Sequence, residues 1–93
     1  MPYYMVSYDL RREPSAEGYK RLYERLRSFP DWAWVLESVW IVQGSSSAAV
    51  YSALAPVFDA NDGLVVAELT NSLCFDKPRQ GAEDWLRGRF SCR

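Results

Sequence analysis

Histidine is absent from this 93-residue chain, cysteine occurs only twice, and no Lys or Arg falls between Ser28 and Asp76. Without histidine the chain has neither the commonest general base nor the usual switch near neutral pH. Any acid–base chemistry falls to Asp, Glu, Tyr, Lys or a metal-bound water. Cys74 and Cys92 lie far apart and belong to no Cys-x-x-Cys pair. With no histidine to join them, a zinc site is not expected, and free cytosolic thiols are the default. No apolar run approaches the ~18 residues of a membrane span. The first residues lack a basic segment followed by an apolar stretch, so no secretory signal is expected and the cytoplasm is the expected compartment.

The missing cations of the middle segment give the net charge of −1 a strong internal structure. Residues 1–27 carry six basic groups (Arg11, Arg12, Lys20, Arg21, Arg25, Arg27) against four acids, and residues 77–93 carry five against Glu83 and Asp84. A uniformly basic nucleic-acid binder does not look like this. Phosphate, if bound, belongs to the first helix, the loop before it, or the tail. Most of these residues read as a solvated helix face of mixed charge.

What the chain has in quantity is aromatic rings: four Trp, six Tyr and four Phe. One domain of this size buries only roughly 60–68% of its unfolded surface, so the rings must carry much of the core. They also leave apolar surface for a subunit interface. The opening, Tyr3-Tyr4-Met5-Val6-Ser7-Tyr8-Asp9-Leu10, reads as a strand that delivers the carboxylate of Asp9 to its end, with Arg11 and Arg12 just beyond. An Asp there is costly to bury unless paired or bound to a cation. It also serves as an ordinary turn residue leading to the next helix.

Ser15 is a good N-cap, and Tyr19, Leu22, Tyr23, Leu26 and Phe29 recur at helical spacing up to Pro30. The spacing predicts a helix over about 15–28, with that stripe as core. Trp32 to Gly44 is rich in aromatic and β-branched residues but too long for one average strand, so Glu37-Ser38 divides it into two. Ser45 to Ser47 offer caps for a helix through about Leu54, with Ala49, Val50, Ala53 and Leu54 inward and Pro56 ending it. After the turn Asp59-Ala60-Asn61-Asp62-Gly63, the apolar run Leu64 to Leu69 predicts a strand inside a sheet. Leu73-Cys74-Phe75 suggests a short edge strand, and 82–89 a last helical turn or two with Trp85 and Leu86 as its apolar contacts. The order predicts an α+β fold, a ferredoxin-like βαββαβ sandwich in one domain over 1–93. Two helices lie on one face of an antiparallel sheet, with a core at about 3–69 and a C-terminal extension at 70–93.

The strand ending Tyr8-Asp9-Leu10, the amphipathic helix, Glu37-Ser38-Val39-Trp40 and the second short helix resemble the small CRISPR-associated "Cas-two" proteins, particularly their stand-alone relatives. The tail segment Gly81-Ala82-Glu83-Asp84-Trp85-Leu86 is similar to the ending of those relatives. The resemblance implies a ferredoxin-like homodimer in which the strand-end acids face each other across the two-fold axis. It also implies either a Mg²⁺-dependent endonuclease acting on RNA or DNA, or a non-catalytic scaffold. By position, Asp9 is the candidate catalytic residue and metal ligand, and Ser38 falls in the family's Ser-Val-aromatic segment, with Trp40 replacing the usual Phe. Two carboxylates from a dimer can share one Mg²⁺, with water completing the shell. Arg11 and Arg12 would hold flanking phosphates. The family commonly places a basic residue before this segment; here Val35-Leu36-Glu37 stands instead, so Glu37 is either a further ligand or an exposed residue of the kink.

Two other functions stay open. The acidic middle and surplus of aromatics suit a non-enzymatic interaction module. A toxin-like ribonuclease resembling the virulence-associated protein D group shares the fold and the strand-end Asp.

Overall fold

The computed structural model describes residues 1–10 and 16–93, so Arg11, Arg12 and the expected cap Ser15 lie outside the described residues. β1 (Tyr3–Asp9) alternates as a strand between two covered faces must: Tyr4, Val6 and Tyr8 are buried on one side, and Tyr3, Met5 and Ser7 are half-buried on the other. α1 (Ala16–Leu26) buries Leu22 and Leu26, with Tyr19 and Tyr23 half-buried beside them. It ends before Pro30, as the steric restriction on the residue preceding proline requires. Ser28 closes it, its N–H and Oγ both donating to Arg25 O at 3.1 and 2.6 Å.

β2 (Trp32–Leu36) and β3 (Val39–Gln43) form an antiparallel hairpin through Glu37-Ser38, with a register shift between Trp34 and Leu36. α2 (Ser47–Leu54) starts on Ser46, whose side chain accepts from Ala49 N at 3.0 Å. Val50 and Leu54 are buried and Ala53 is half-buried. Ala49, expected inward, is exposed, because the inward stripe is only as wide as the Val50–Leu54 pair. Pro56 sits in a 3₁₀ turn, Ala55–Val57, that ends the helix. At Gly44 an added Cβ would lie 2.6 Å from Val50 Cγ2, so the end of β3 meets α2 where only glycine fits.

β4 (Gly63–Glu68) completes a four-stranded sheet of order β2-β3-β1-β4, antiparallel throughout. Each helix therefore carries the chain past an intervening strand. The run at Leu64–Leu69 was expected inside a sheet and instead forms an edge, with Val65 62% exposed. Its apolar character is used on one side, where Leu64 and Val66 pack on the core; β1 is its strand partner.

α1 and α2 cover one face of the sheet, over a core that includes Tyr4, Val6, Leu22, Leu26, Trp40, Val42, Val50 and Leu54. On the opposite face Ala33, Val35 and Ile41 pack against Ala82 and Leu86 of α3 (Ala82–Arg87). The expected edge strand at Leu73-Cys74-Phe75 is instead an irregular segment beside a single parallel bridge, Ser72 to Ser91. That bridge, with Leu73 N donating to Ser91 O and Ser91 N to Asn71 O at 2.9 Å, lays the two ends of the extension side by side. Cys74 and Cys92 are thereby brought to a Cα separation of 4.4 Å and joined in a disulfide, which corrects the expectation of free thiols. A polar node ties the extension to the sheet. Asp31 Oδ2 accepts from Tyr3 Oη at 2.6 Å and Arg89 Nε at 2.7 Å, and Asp31 Oδ1 accepts from Trp85 Nε1 at 3.0 Å. Among the described residues no helix is long and apolar enough to cross a membrane.

Candidate functional site

The register of the sheet decides what Asp9 meets. β1 pairs with β3 from Tyr3 opposite Gln43 to Ser7 opposite Val39, and Tyr8 N donates to Ser38 O at 3.1 Å. Continuing that register carries Asp9, the last residue of β1, toward Glu37 in the β2–β3 turn. The two strand ends and α1 enclose a cleft of about 300 Å³, lined among others by Tyr8, Asp9, Tyr19, Tyr23, Glu37 and Ser38. Three of the residues singled out from the sequence, Asp9, Glu37 and Ser38, are thus brought together. Arg11 and Arg12 lie outside the described residues.

Tyr8 forms the buried wall of the cleft. Its hydroxyl donates to the Glu37 carbonyl at 3.3 Å, and the same oxygen accepts from Trp34 Nε1 at 3.2 Å. Two rings therefore pin the backbone of the turn while the Glu37 side chain stays exposed. Burial pushes the Tyr8 phenol up to about 12, and the nearby Tyr23 and Tyr19 reinforce the rise. Trp40 Nε1–H and Arg79 work against it. That indole N–H is buried and, among the described residues, finds no acceptor in hydrogen-bonding geometry, so its effect on Tyr8 is that of a nearby dipole and not of a formed bond. At neutral pH Tyr8 keeps its proton and serves as a donor, not a base. Tyr23 is also shifted upward, first by burial and then by Tyr19.

Two carboxylates and a hydroxyl are hard oxygen donors, the set that Mg²⁺ prefers. Among the described residues no three His, Cys, Asp or Glu side chains gather as a metal cluster. Mg²⁺ needs no such cage: one or two carboxylates with water and substrate phosphate suffice, so the residues present fit this ion.

Sequence reasoning took Tyr19 and Tyr23 only as core, although their four-residue spacing on the helix after a strand-end acid places both rings on one side of it. It also missed an aromatic band along β2. Trp34 stacks on Trp40 at 5.0 Å and 15°, Tyr23 lies 4.6 Å from Trp34, and the Arg79 guanidinium sits 3.6 Å over the Trp34 ring. The visible signal was three indoles within Trp32–Trp40.

The chain matches no protein-family model, and no curated protein matches it significantly. Fold and site together define an α+β protein with a four-stranded antiparallel sheet and an acidic cleft at the end of its first strand.

Proposed function

We propose that this protein is a Cas-two-like, Mg²⁺-dependent endonuclease that hydrolyses the phosphodiester backbone of RNA or DNA as a ferredoxin-like homodimer. The element order, the central positions of β1 and β3, and two helices on one face support the ferredoxin-like reading. The observation that carries the chemistry is the gathering of Asp9, Glu37 and Ser38 in one cleft. Asp9 and Glu37 would hold Mg²⁺, and when bound the ion supplies a Lewis acid for phosphoryl oxygen and a more acidic water. The Ser38 hydroxyl and the protonated Tyr8 contribute hydrogen bonding beside the carboxylates. Arg11 and Arg12, two and three residues after Asp9 in sequence, are assigned to the flanking phosphates. Dimerisation would bring a second Asp9 to the site.

The test is cleavage of short RNA and DNA by the purified protein with Mg²⁺ or Mn²⁺. Cleavage that disappears in Asp9→Asn, with the dimer intact, is the expected result. No cleavage with either ion, or equal cleavage by the variant, overturns the proposal.

A second reading, a non-catalytic dimeric scaffold or interaction module, is favoured by apolar exposure on the sheet face away from α1 and α2, with Leu36 46% and Val65 62% exposed. An inert Asp9→Asn phenotype with a stable partner would select it. A cytoplasmic site is part of the proposal, and the Cys74–Cys92 bond argues against it, since such bonds persist in oxidising compartments. Alkylating free thiols directly in intact cells decides between them.

A further inference from the structure

We propose that the outer edge of β2 is a stacking site for the unpaired bases of a single-stranded nucleic acid. Trp32, Trp34 and Trp85 line a cleft of about 240 Å³ there, together with Arg79 and Gln80. Trp32 is 37% exposed, a large apolar ring left in contact with water. The Arg79 guanidinium carbon lies 3.6 Å from the ring centre of Trp34, a cation–π contact that holds the charge at this edge. Arg27, in the turn after α1, approaches Trp32 at 5.9 Å. Among the described residues neither Arg27 nor Arg79 is in an ion pair, in contrast to Arg89, which lies 4.3 Å over Trp85 and is tied to Asp31 at 2.7 Å. Among the described residues these two cations have no carboxylate partner, and they flank the exposed Trp32 ring beside the half-buried Trp34 and Trp85. That setting suits a ligand that carries flat rings and repeated negative charge.

The charge segregation of the chain conceals this surface. Trp32 to Trp40 has no basic residue of its own, and the fold supplies Arg27 from one end of the sequence and Arg79 from the other. The band is also continuous with the acidic cleft: Tyr23, 4.6 Å from Trp34, lines the cavity that holds Asp9. A duplex hides its base faces, whereas a single strand can lay them on aromatic rings. An uncharged sugar would stack on the same indoles but would leave both guanidiniums unused. Binding here goes beyond the hydrolytic reading and does not depend on it.

The test uses the full chain without divalent ion. Oligothymidylate and oligouridylate are titrated against tryptophan fluorescence, beside a matched duplex and an uncharged oligosaccharide. Both single strands are expected to quench, with affinity falling as salt rises. With labelled oligonucleotide, Trp32→Ala should weaken binding by about tenfold or more, while Trp32→Phe retains most of it. Arg79→Gln should weaken binding and reduce the slope of log affinity against log salt by about 0.7. Circular dichroism checks that each variant is folded. Absence of quenching at low salt overturns the proposal, as does a duplex or oligosaccharide bound as well as the single strands, or unchanged affinity in folded Trp32→Ala. Lost binding with cleavage intact sinks this inference alone; absent cleavage with binding intact sinks only the hydrolytic reading.

Discussion

α1 and α2 close their side of the sheet with fully buried Leu22, Leu26, Val50 and Leu54 over Tyr4, Val6, Trp40 and Val42. The C-terminal extension closes the other side with much less, mainly Ala82 and Leu86 over Ala33, Val35 and Ile41. It adds what the first face lacks: a disulfide between Cys74 and Cys92, and a carboxylate, Asp31, held by Tyr3, Trp85 and Arg89. The helix pair is retained mainly by burial, at roughly 25 cal/mol per Å² of apolar surface, with one tie between the helices from the Arg25 guanidinium to Ala53 O at 2.8 Å. A short irregular segment with few buried side chains cannot offset its ordering entropy that way and needs specific ties.

The comparison breaks hardest at Leu26, which is completely buried. Leu26→Ala leaves a cavity between α1 and the sheet and should cost about 2–5 kcal/mol, read as a lower urea midpoint for the whole chain. Next comes the disulfide, which closes a loop of 18 residues in sequence separation. Replacing both Cys74 and Cys92 with Ser should cost about 3 kcal/mol by loop closure. The distribution of that loss matters more than its size. Hydrogen exchange should accelerate in residues 70–93 while α1 keeps its protection. Equal acceleration in α1 would show that the two faces unfold as one and that the contrast between them is empty.

Asp31 sharpens the comparison by pH. Burial alone would raise its pKa, but hydrogen bonds from Tyr3, Arg89 and Trp85 outweigh burial and hold the carboxyl below its ordinary value of 3.8. A carboxylate with a lowered folded-state pKa stabilises fully above its unfolded value and loses that contribution as pH falls through the folded one. The extension should therefore loosen only below pH 3.8 on this account. Asp31→Asn should cost about 1–2 kcal/mol at neutral pH and remove that acid-dependent step. A wild-type extension that loosens at pH 5 would point to another group.

The same contrast explains what the residues disclosed. α1, the β2–β3 hairpin, the Ser46 cap and α3 were legible because periodicity and capping act within a few residues. The meeting of Asp9 with Glu37 and Ser38 followed from a strand end and a turn that the antiparallel register brings together. The ties that hold the tail to the sheet were not legible. Asp31 directly follows Pro30 and reads as a turn residue, while its partners Tyr3, Trp85 and Arg89 stand 28, 54 and 58 positions away. Cys74 and Cys92 bore no motif spacing, and only the Ser72–Ser91 bridge sets them side by side. The edge position of β4 was hidden for a different reason. A continuous apolar run specifies side chains that avoid water, not how many strands lie beside them.

The smallest effect on stability is expected at Val65, and it bears on the face that the extension leaves open. Val65 lies opposite Ser7 on β1, on the side of the sheet away from α1 and α2. Already 62% exposed, it should accept Lys with a change within about 0.5 kcal/mol in the folded monomer. A dimer packed on this face would have to bury the new ammonium, which an apolar interface does not tolerate. Tyr51→Lys is the matched control, since Tyr51 is 51% exposed on α2, across the sheet. In analytical ultracentrifugation the proposed homodimer should dissociate in Val65→Lys and persist in Tyr51→Lys. The reverse pattern would move the two-fold contact to the helical side, where Tyr51 is the exposed ring on α2. Equal behaviour of the two variants would free both faces from the dimer and leave the open half of the sheet without a role in assembly.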